Sequence, residues 1–305
     1  MSDVRSAVIG AGPAGLAAAL TLARSLQPTV VFDSPEPPRH AASPAIGGLL
    51  GRDRVTPAAL KQAGREEIEG YGPVRFVDQA VARLEVAAGG GFRLVAADGS
   101  AVEAASVLLA CGMVDEFPPI EGLEDFWGES VINCPFCHGI ELRDRPWGVV
   151  VNRREMLDVA EIYTMWTGEL TLFLDGGVEA DTDREAELAA KNIRVERRAI
   201  RRLIGRETSL SAVELDDGGR VGCQALVIWP PQRQSDLVLF LNLKLDAHGC
   251  VIVDEGNRTD VPGLYAAGDL LYAGHQNVNT ALHMGNLAAA AMVLDLAKRG
   301  WSRTR

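Results

Sequence analysis

The residues in this chain most able to do chemistry are two cysteines at C-x-x-C spacing, in Asn133-Cys134-Pro135-Phe136-Cys137-His138-Gly139. Such a pair can close a small disulfide ring. A helix starting there would depress a thiolate pKa and make one sulfur a nucleophile. His138 adjoins the second sulfur. Its imidazole can take the proton of an incoming thiol or, as a cation, hold a thiolate. Blander uses compete: half a zinc site, a purely structural pair, or a His138 that merely caps or sits on the surface. Zinc wants four ligands, and no second C-x-x-C exists; Cys111, Cys223 and Cys250 are single, the last two in apparent strands. No metal site is expected.

A nucleotide site is written at the N-terminus. Ser6 to Ile9 reads as a short buried strand, followed by Gly10-Ala11-Gly12-Pro13-Ala14-Gly15 and a helical run through Leu16, Leu20 and Ala23. This is G-x-G-x-x-G in the strand–turn–helix setting it needs. Gly10 permits the turn, Gly12 lets backbone approach a pyrophosphate, and Gly15 lets helix pack on strand, with the helix N-terminus favouring negative charge. A second strand, Thr29 to Phe32, ends at Asp33, 18 residues past Gly15, with Ser34 beside it. A carboxylate there would take ribose hydroxyls.

Composition narrows the class. The 305 residues allow two domains or one with an insertion, and 47% hydrophobic with 23% charged residues is ordinary for a globular enzyme. A formal net charge of -11 argues against nucleic acid and anionic membrane surfaces as partners. No uninterrupted apolar run approaches the roughly 20 residues of a membrane span. Five cysteines with one close pair suggest chemistry in a reducing compartment rather than a secreted disulfide framework. The expected location is cytoplasmic.

Two further segments resemble flavoprotein motifs. Val261 to Asp269 runs into Gly268-Asp269 before a long small-residue helix from Thr280 to Ala297. It is similar to the second FAD motif, in which the Asp and the following helix meet the ribityl and pyrophosphate groups. Leu108 to Gly112 resembles the ATG segment that returns the chain to the flavin domain, with Cys111 standing where Thr is usual. The motif order over nearly the whole chain resembles the low-molecular-weight thioredoxin reductase family. That resemblance implies an α/β protein of two Rossmann-like domains: a split FAD-binding domain over 1–121 and 244–305, and an inserted pyridine-nucleotide-type domain over 122–243 carrying the C-x-x-C. It implies FAD as cofactor, a homodimer, Cys137 facing the flavin and Cys134 facing substrate.

Two departures set the expected function. The inserted domain should open with its own glycine fingerprint for NADPH. Instead the strand at Trp147 to Val151 is followed by Asn152-Arg153-Arg154-Glu155-Met156-Leu157, with no glycine in the turn. After the next strand, Leu170 to Leu174, the family's basic residues for the 2′-phosphate are replaced by Asp175-Gly176-Gly177, and an acid there would repel that phosphate. NADPH is expected not to bind. His138 also stands where the reductases carry Asp. Cys-Pro-Phe-Cys-His-Gly resembles the thioredoxin-reductase-like dithiol oxidases that close disulfides in natural products such as gliotoxin and holomycin. The segment from Pro38-Arg39-His40 to Asp53, then Thr56-Pro57, resembles in part the flavin-side loop of that subgroup. Gln276-Asn277-Val278 aligns with the flavin-contacting Arg-Gln-Ala of the reductases, and His275 and His283 flank it as thiol-site or packing residues. The resemblance therefore implies a dithiol oxidase acting on a small molecule, with electrons passing from Cys134 and Cys137 to FAD and to O2, giving H2O2. The alternative is a thioredoxin-type disulfide reductase fed by a donor such as ferredoxin.

Overall fold

The computed structural model describes residues 4–87, 90–174, 178–271 and 274–300. The chain divides into two compact units: residues 1–39, 57–115 and 232–305 form the first, and 40–56 with 116–231 form the second. This differs from the expected boundaries in two ways. The borders fall at 115/116 and 231/232 because Met113–Asp115 and Gln232–Gln234 pair as an antiparallel ribbon, Gln232 opposite Asp115, inside the first unit. Residues 40–56, expected on the flavin side, cluster with the second unit.

The first unit holds a five-stranded parallel sheet in the order Leu264–Ala266, Ser106–Leu109, Ser6–Ile9, Thr29–Phe32, Val74–Val77. The four strands from Ser106–Leu109, Ser6–Ile9, Thr29–Phe32 and Leu264–Ala266 are buried along their whole length. That is why they read as continuous apolar runs rather than alternating patterns. A three-stranded antiparallel sheet, Val81–Val86, Phe92–Ala96 and Ala101–Ala104, accompanies it. Helix Pro13–Arg24 starts with proline in its first turn and packs on helix Val278–Lys298. The latter starts two residues before the expected Thr280, capped by Asn277, whose side chain accepts from the Thr280 N–H at 2.9 Å.

By length and hydropathy Val278–Lys298 is long and apolar enough to cross a membrane, a feature the search for uninterrupted apolar runs passed over. Ala281, Gly285, Ala288, Ala289, Ala291, Met292 and Leu296 are its buried residues, and Ala288, Ala289 and Met292 share a core cluster with Ala14, Ala18 and Leu22.

The second unit repeats the parallel theme, with strand order Ile193–Glu196, Leu170–Phe173, Trp147–Val150, Ala225–Val227, Val131–Ile132. An antiparallel sheet of Ile200–Arg206, Ser209–Leu215 and Arg220–Gly222 accompanies it. The two α/β units, one split in sequence by the other, are the fold class the motifs imply. Cys223 lies just past the strand Arg220–Gly222 and Cys250 lies outside the strands, correcting the expectation for both; each is buried.

Helix packing in the first unit depends on a missing side chain. A Cβ at Gly285 would collide with the Ala14 backbone. Gly285→Val should therefore push the two helices apart and cost about 1–3 kcal/mol, as overpacking does. Urea unfolding measures it, and an unchanged midpoint would show that the helices do not meet here.

Candidate functional site

In the first unit the fingerprint residues adopt the geometry that a pyrophosphate requires. Gly10 has φ +106°, a conformation costly for any side chain, and an added Cβ would strike the Ala110 carbonyl. Gly15 has no room either, because its Cβ would meet the Gly10 carbonyl and sit 3.3 Å from a Val8 methyl. Gly12 is the opposite case, since nothing lies within 4 Å of where its Cβ would be. Gly12 is also the N-cap of Pro13–Arg24, which has no side-chain cap and no acidic residue in its first turn. The first N–H groups of a helix lack intrahelical partners and the dipole is positive there. Open space in front of an uncapped helix start fits a dinucleotide pyrophosphate.

The remaining predicted cofactor residues sort into two groups. Asp33 ends the second strand, where Lys61 pairs with its carboxylate at 2.7 Å; Ser34 accepts from the Glu36 N–H. Gly112 has φ +67° with open space beside it, and a Cβ added to Gly268, at φ +87°, would stand 3.0 Å from the Ala14 Cβ. Val278 is the first residue of the C-terminal helix, and His275 and His283 are exposed.

Arg39, Asp269 and Gln276 join a polar ring that sequence reasoning did not foresee. Arg39 donates to both carboxylate oxygens of Asp115 at 2.8 Å and to Gln276 Oε1 at 2.6 Å, with Asp269 at 3.5 Å. Gln276 donates to Gln232 Oε1 at 2.8 Å, and Gln232 donates back to Asp115 at 2.8 Å. Burial pushes the Asp269 carboxyl above the usual range, while Arg39 pulls it down. The side chains of Arg39 and Gln276 are thus engaged by the protein itself, and Asn277 Oδ1 by its helix. The signal for Asp115 was one carboxylate directly following the apolar segment that ends at Val114.

In the second unit Cys134 and Cys137 form a disulfide, with Cα atoms 5.3 Å apart. They sit on Pro135–His138, a single turn of helix whose N-cap is Cys134. One turn carries little macrodipole, so the thiolate-stabilising helix expected here is absent. The turn rests on aromatic rings instead. Phe136, 69% exposed between the two cysteines, meets Trp166 edge-on at 5.5 Å. Trp166 stacks on Trp147 at 6.1 Å, and the buried Trp147 donates its Nε1–H to the Leu142 carbonyl at 2.9 Å.

His138 Nε2 lies 2.9 Å from Ser43 Oγ and 3.2 Å from the Ala45 carbonyl, and its Nδ1 is buried without a hydrogen-bond partner. His40, placed in the sequence as a cofactor residue, belongs to this second-unit segment; its carbonyl accepts from the Ser43 N–H at 3.0 Å. No sequence signal marked Ser43, which meets a residue 95 positions away.

The turn at the fingerprint position of this unit's parallel sheet holds exposed Asn152, Arg153 and Arg154 and no glycine. Strand Trp147–Val150 is followed by a helix of only five residues, Arg154–Asp158. Asn152 donates to the Trp229 carbonyl at 2.7 Å, and Arg154 is held by Asp158, Asp181 and the Glu179 carbonyl. Asp175-Gly176-Gly177 lie outside the described residues.

A glycine fingerprint turn in one α/β unit and a cysteine disulfide on a half-buried turn of another define a disulfide oxidoreductase. The chain belongs to the pyridine nucleotide-disulphide oxidoreductase family, whose model matches residues 4–153 and 177–285. The match breaks off at the turn after Trp147–Val150. The chain is similar to thioredoxin reductase aclD of Aspergillus oryzae, 30% identical over 305 residues and 95% of each chain. Among solved structures it resembles TrxB of Bacillus anthracis, assigned as a thioredoxin reductase (TM-score 0.92, 30% identity, covering 98% of this chain and 100% of that one). It also resembles HlmI (TM-score 0.89, 31% identity, covering 98% and 94%). The thioredoxin-reductase likeness drawn from motif order is borne out.

Because Gly12 opens on free space, Gly12→Val should leave far-UV circular dichroism unchanged yet yield protein that has lost most of its flavin. Retention of bound flavin by that variant would remove the fingerprint from the cofactor site.

Proposed function

We propose that the chain is an FAD-dependent dithiol oxidase that closes an intramolecular disulfide in a small molecule. The observation that carries this reading is the turn after Trp147–Val150, where Asn152 and Arg154 are bonded into the protein in place of a glycine loop. Without a glycine in that turn the backbone offers NADPH no close approach for its pyrophosphate, while the Gly10–Gly15 turn and the Cys134–Cys137 disulfide are both formed. Electrons then have to come from thiols. FAD, held by the Gly12–Gly15 backbone with Asp33 and Asp269, would when bound take two electrons and two protons from the reduced cysteine pair and pass them to dioxygen as hydrogen peroxide.

The chain's own residues perform the thiol exchange. A substrate thiol gives its proton to His138 and attacks Cys134 Sγ; the Cys134–Cys137 bond breaks and Cys137 leaves as thiolate. The substrate's second thiol gives its proton to the Cys137 thiolate and attacks the substrate sulfur held in the mixed disulfide. Cys134 leaves, His138 returns the proton, and the product departs as a cyclic disulfide with both enzyme cysteines reduced. Phe136 and Trp166 present apolar surface beside the attacked sulfur, suited to the carbon skeleton of such a substrate. The same reading takes a homodimer as the working assembly and a reducing cytoplasm as its setting.

Anaerobic mixing with dithiothreitol should bleach the flavin, and air should restore it. In an oxygen electrode the dithiol should drive oxygen uptake that NADPH neither supports nor accelerates. Cys134→Ser should abolish both effects while leaving flavin content unchanged. Rapid bleaching by NADPH, with dithiols inert, would sink the oxidase. Turnover of thioredoxin with reduced ferredoxin, without dithiol-driven oxygen uptake, would favour the reductase.

A further inference from the structure

The chemistry of His138 depends on which ring nitrogen carries its proton, and its surroundings decide that. Nε2 faces two groups, Ser43 Oγ at 2.9 Å and the Ala45 carbonyl at 3.2 Å. The Ala45 oxygen can only accept. The Ser43 hydroxyl has one proton, which it donates to that same Ala45 oxygen at 2.8 Å. Toward His138 it therefore presents a lone pair. Both neighbours of Nε2 are acceptors, so Nε2 must be the protonated nitrogen. A neutral imidazole carries one N–H, which leaves Nδ1 with a free lone pair. Nδ1 is the atom that is buried and without a partner.

We infer that Ser43 is a positioning residue that locks His138 in the Nε2–H tautomer, so that Nδ1 is the base that takes the substrate thiol's proton. This rests on the oxidase reading above. His138 follows Cys134 by four positions on the one-turn helix, and its N–H donates to the Cys134 carbonyl at 3.2 Å. That bond closes the turn, so His138 is tied to the backbone of the residue whose sulfur is attacked. Taking up the proton turns the ring into an imidazolium whose Nε2–H stays on Ser43 and Ala45. Delivering the proton to the departing Cys134 sulfur restores the starting tautomer.

The rest of the 40–56 segment is built to hold this contact. Ile46 and Val55 pair as an antiparallel bridge, closing a hairpin. Gly47 lies so close to the Cys137 carbonyl that no side chain would fit, and Gly128, at φ +88°, presses on the backbone of Ala42 and Ser43 from the other side. The serine is thus held between the redox turn and a second backbone contact, within one compact unit.

The test uses flavin-loaded enzyme labelled with 15N-histidine at about pH 8, above the ordinary imidazole pKa. The His138 signals are identified by their loss in His138→Asn. Their shifts should show a protonated Nε2 and a bare Nδ1. Ser43→Ala leaves the Ala45 carbonyl as the one remaining acceptor at Nε2, so it should weaken the preference for the Nε2–H tautomer and slow anaerobic bleaching by dithiothreitol about fivefold to tenfold, as loss of one orienting hydrogen bond does. Ser43→Thr, which keeps the hydroxyl, should restore both. A wild-type spectrum with the proton on Nδ1, or Ser43→Ala bleaching at the wild-type rate, overturns the positioning role and leaves the oxidase standing. A wild-type flavin that no dithiol bleaches sinks the oxidase instead, and the 15N pattern then still decides the tautomer.

Discussion

Backbone meets backbone where helix Pro13–Arg24 crosses Val278–Lys298, because Gly285 offers no Cβ against Ala14. These helices come from opposite ends of the chain, and between them the sequence leaves the first unit and returns. Their contact brings Gly268 to within 3.0 Å of the Ala14 Cβ, measured from where a glycine Cβ would stand. The pyrophosphate turn and the Gly-Asp segment thereby end up side by side. One such helix pair, shared by Ala14, Ala18, Ala288, Ala289 and Met292, assembles a nucleotide site from segments more than 250 residues apart in sequence. Dispersion contacts in so dense a seam are individually small and collectively decisive.

Much of that frame was legible in the residues. Ser6–Ile9 and Thr29–Phe32 were recognised residue for residue, because each runs from one hydroxyl residue through three apolar ones to a glycine or an acid. The cysteine pair declared itself by spacing. What stayed hidden depended on polar side chains meeting across long sequence separations, where no periodicity exists. Arg39 and Gln276 were expected at the cofactor because they adjoin motif segments, and the bonds of Arg39 to Gln276 and to Asp115 left no trace in the sequence. In the folded unit a bidentate carboxylate, Asp115, satisfies the guanidinium better than any single acceptor could. A helix was expected to start at the C-x-x-C, and it does, but for a single turn; Gly139 just past it has no room for a side chain against Trp166.

The two halves of the chemistry are held by different means. The Gly10–Gly15 turn is shaped by what its glycines omit. The thiol side is shaped by hydrogen bonds and by a ring stack of Phe136, Trp166 and Trp147. It exposes its reactive edge while anchoring the far end in the core through the Trp147 N–H. A half-buried redox turn needs such anchoring, since four residues of helix supply almost no stability of their own.

The ribbon of Met113–Asp115 with Gln232–Gln234 has a consequence for how this protein could be rebuilt. Paired strands lie about 4.8 Å apart, so the chain enters and leaves the 116–231 insert at neighbouring points, and a two-residue hairpin would in principle close the gap. Excision or exchange of the insert alone would nevertheless be incomplete. Residues 40–56 belong to the same compact unit and bring Ser43 to His138, so a graft from a relative must carry both stretches together. The unit that recombination should respect is therefore discontinuous in sequence, and residues 40 to 56 and 116 to 231 would be inherited as one piece.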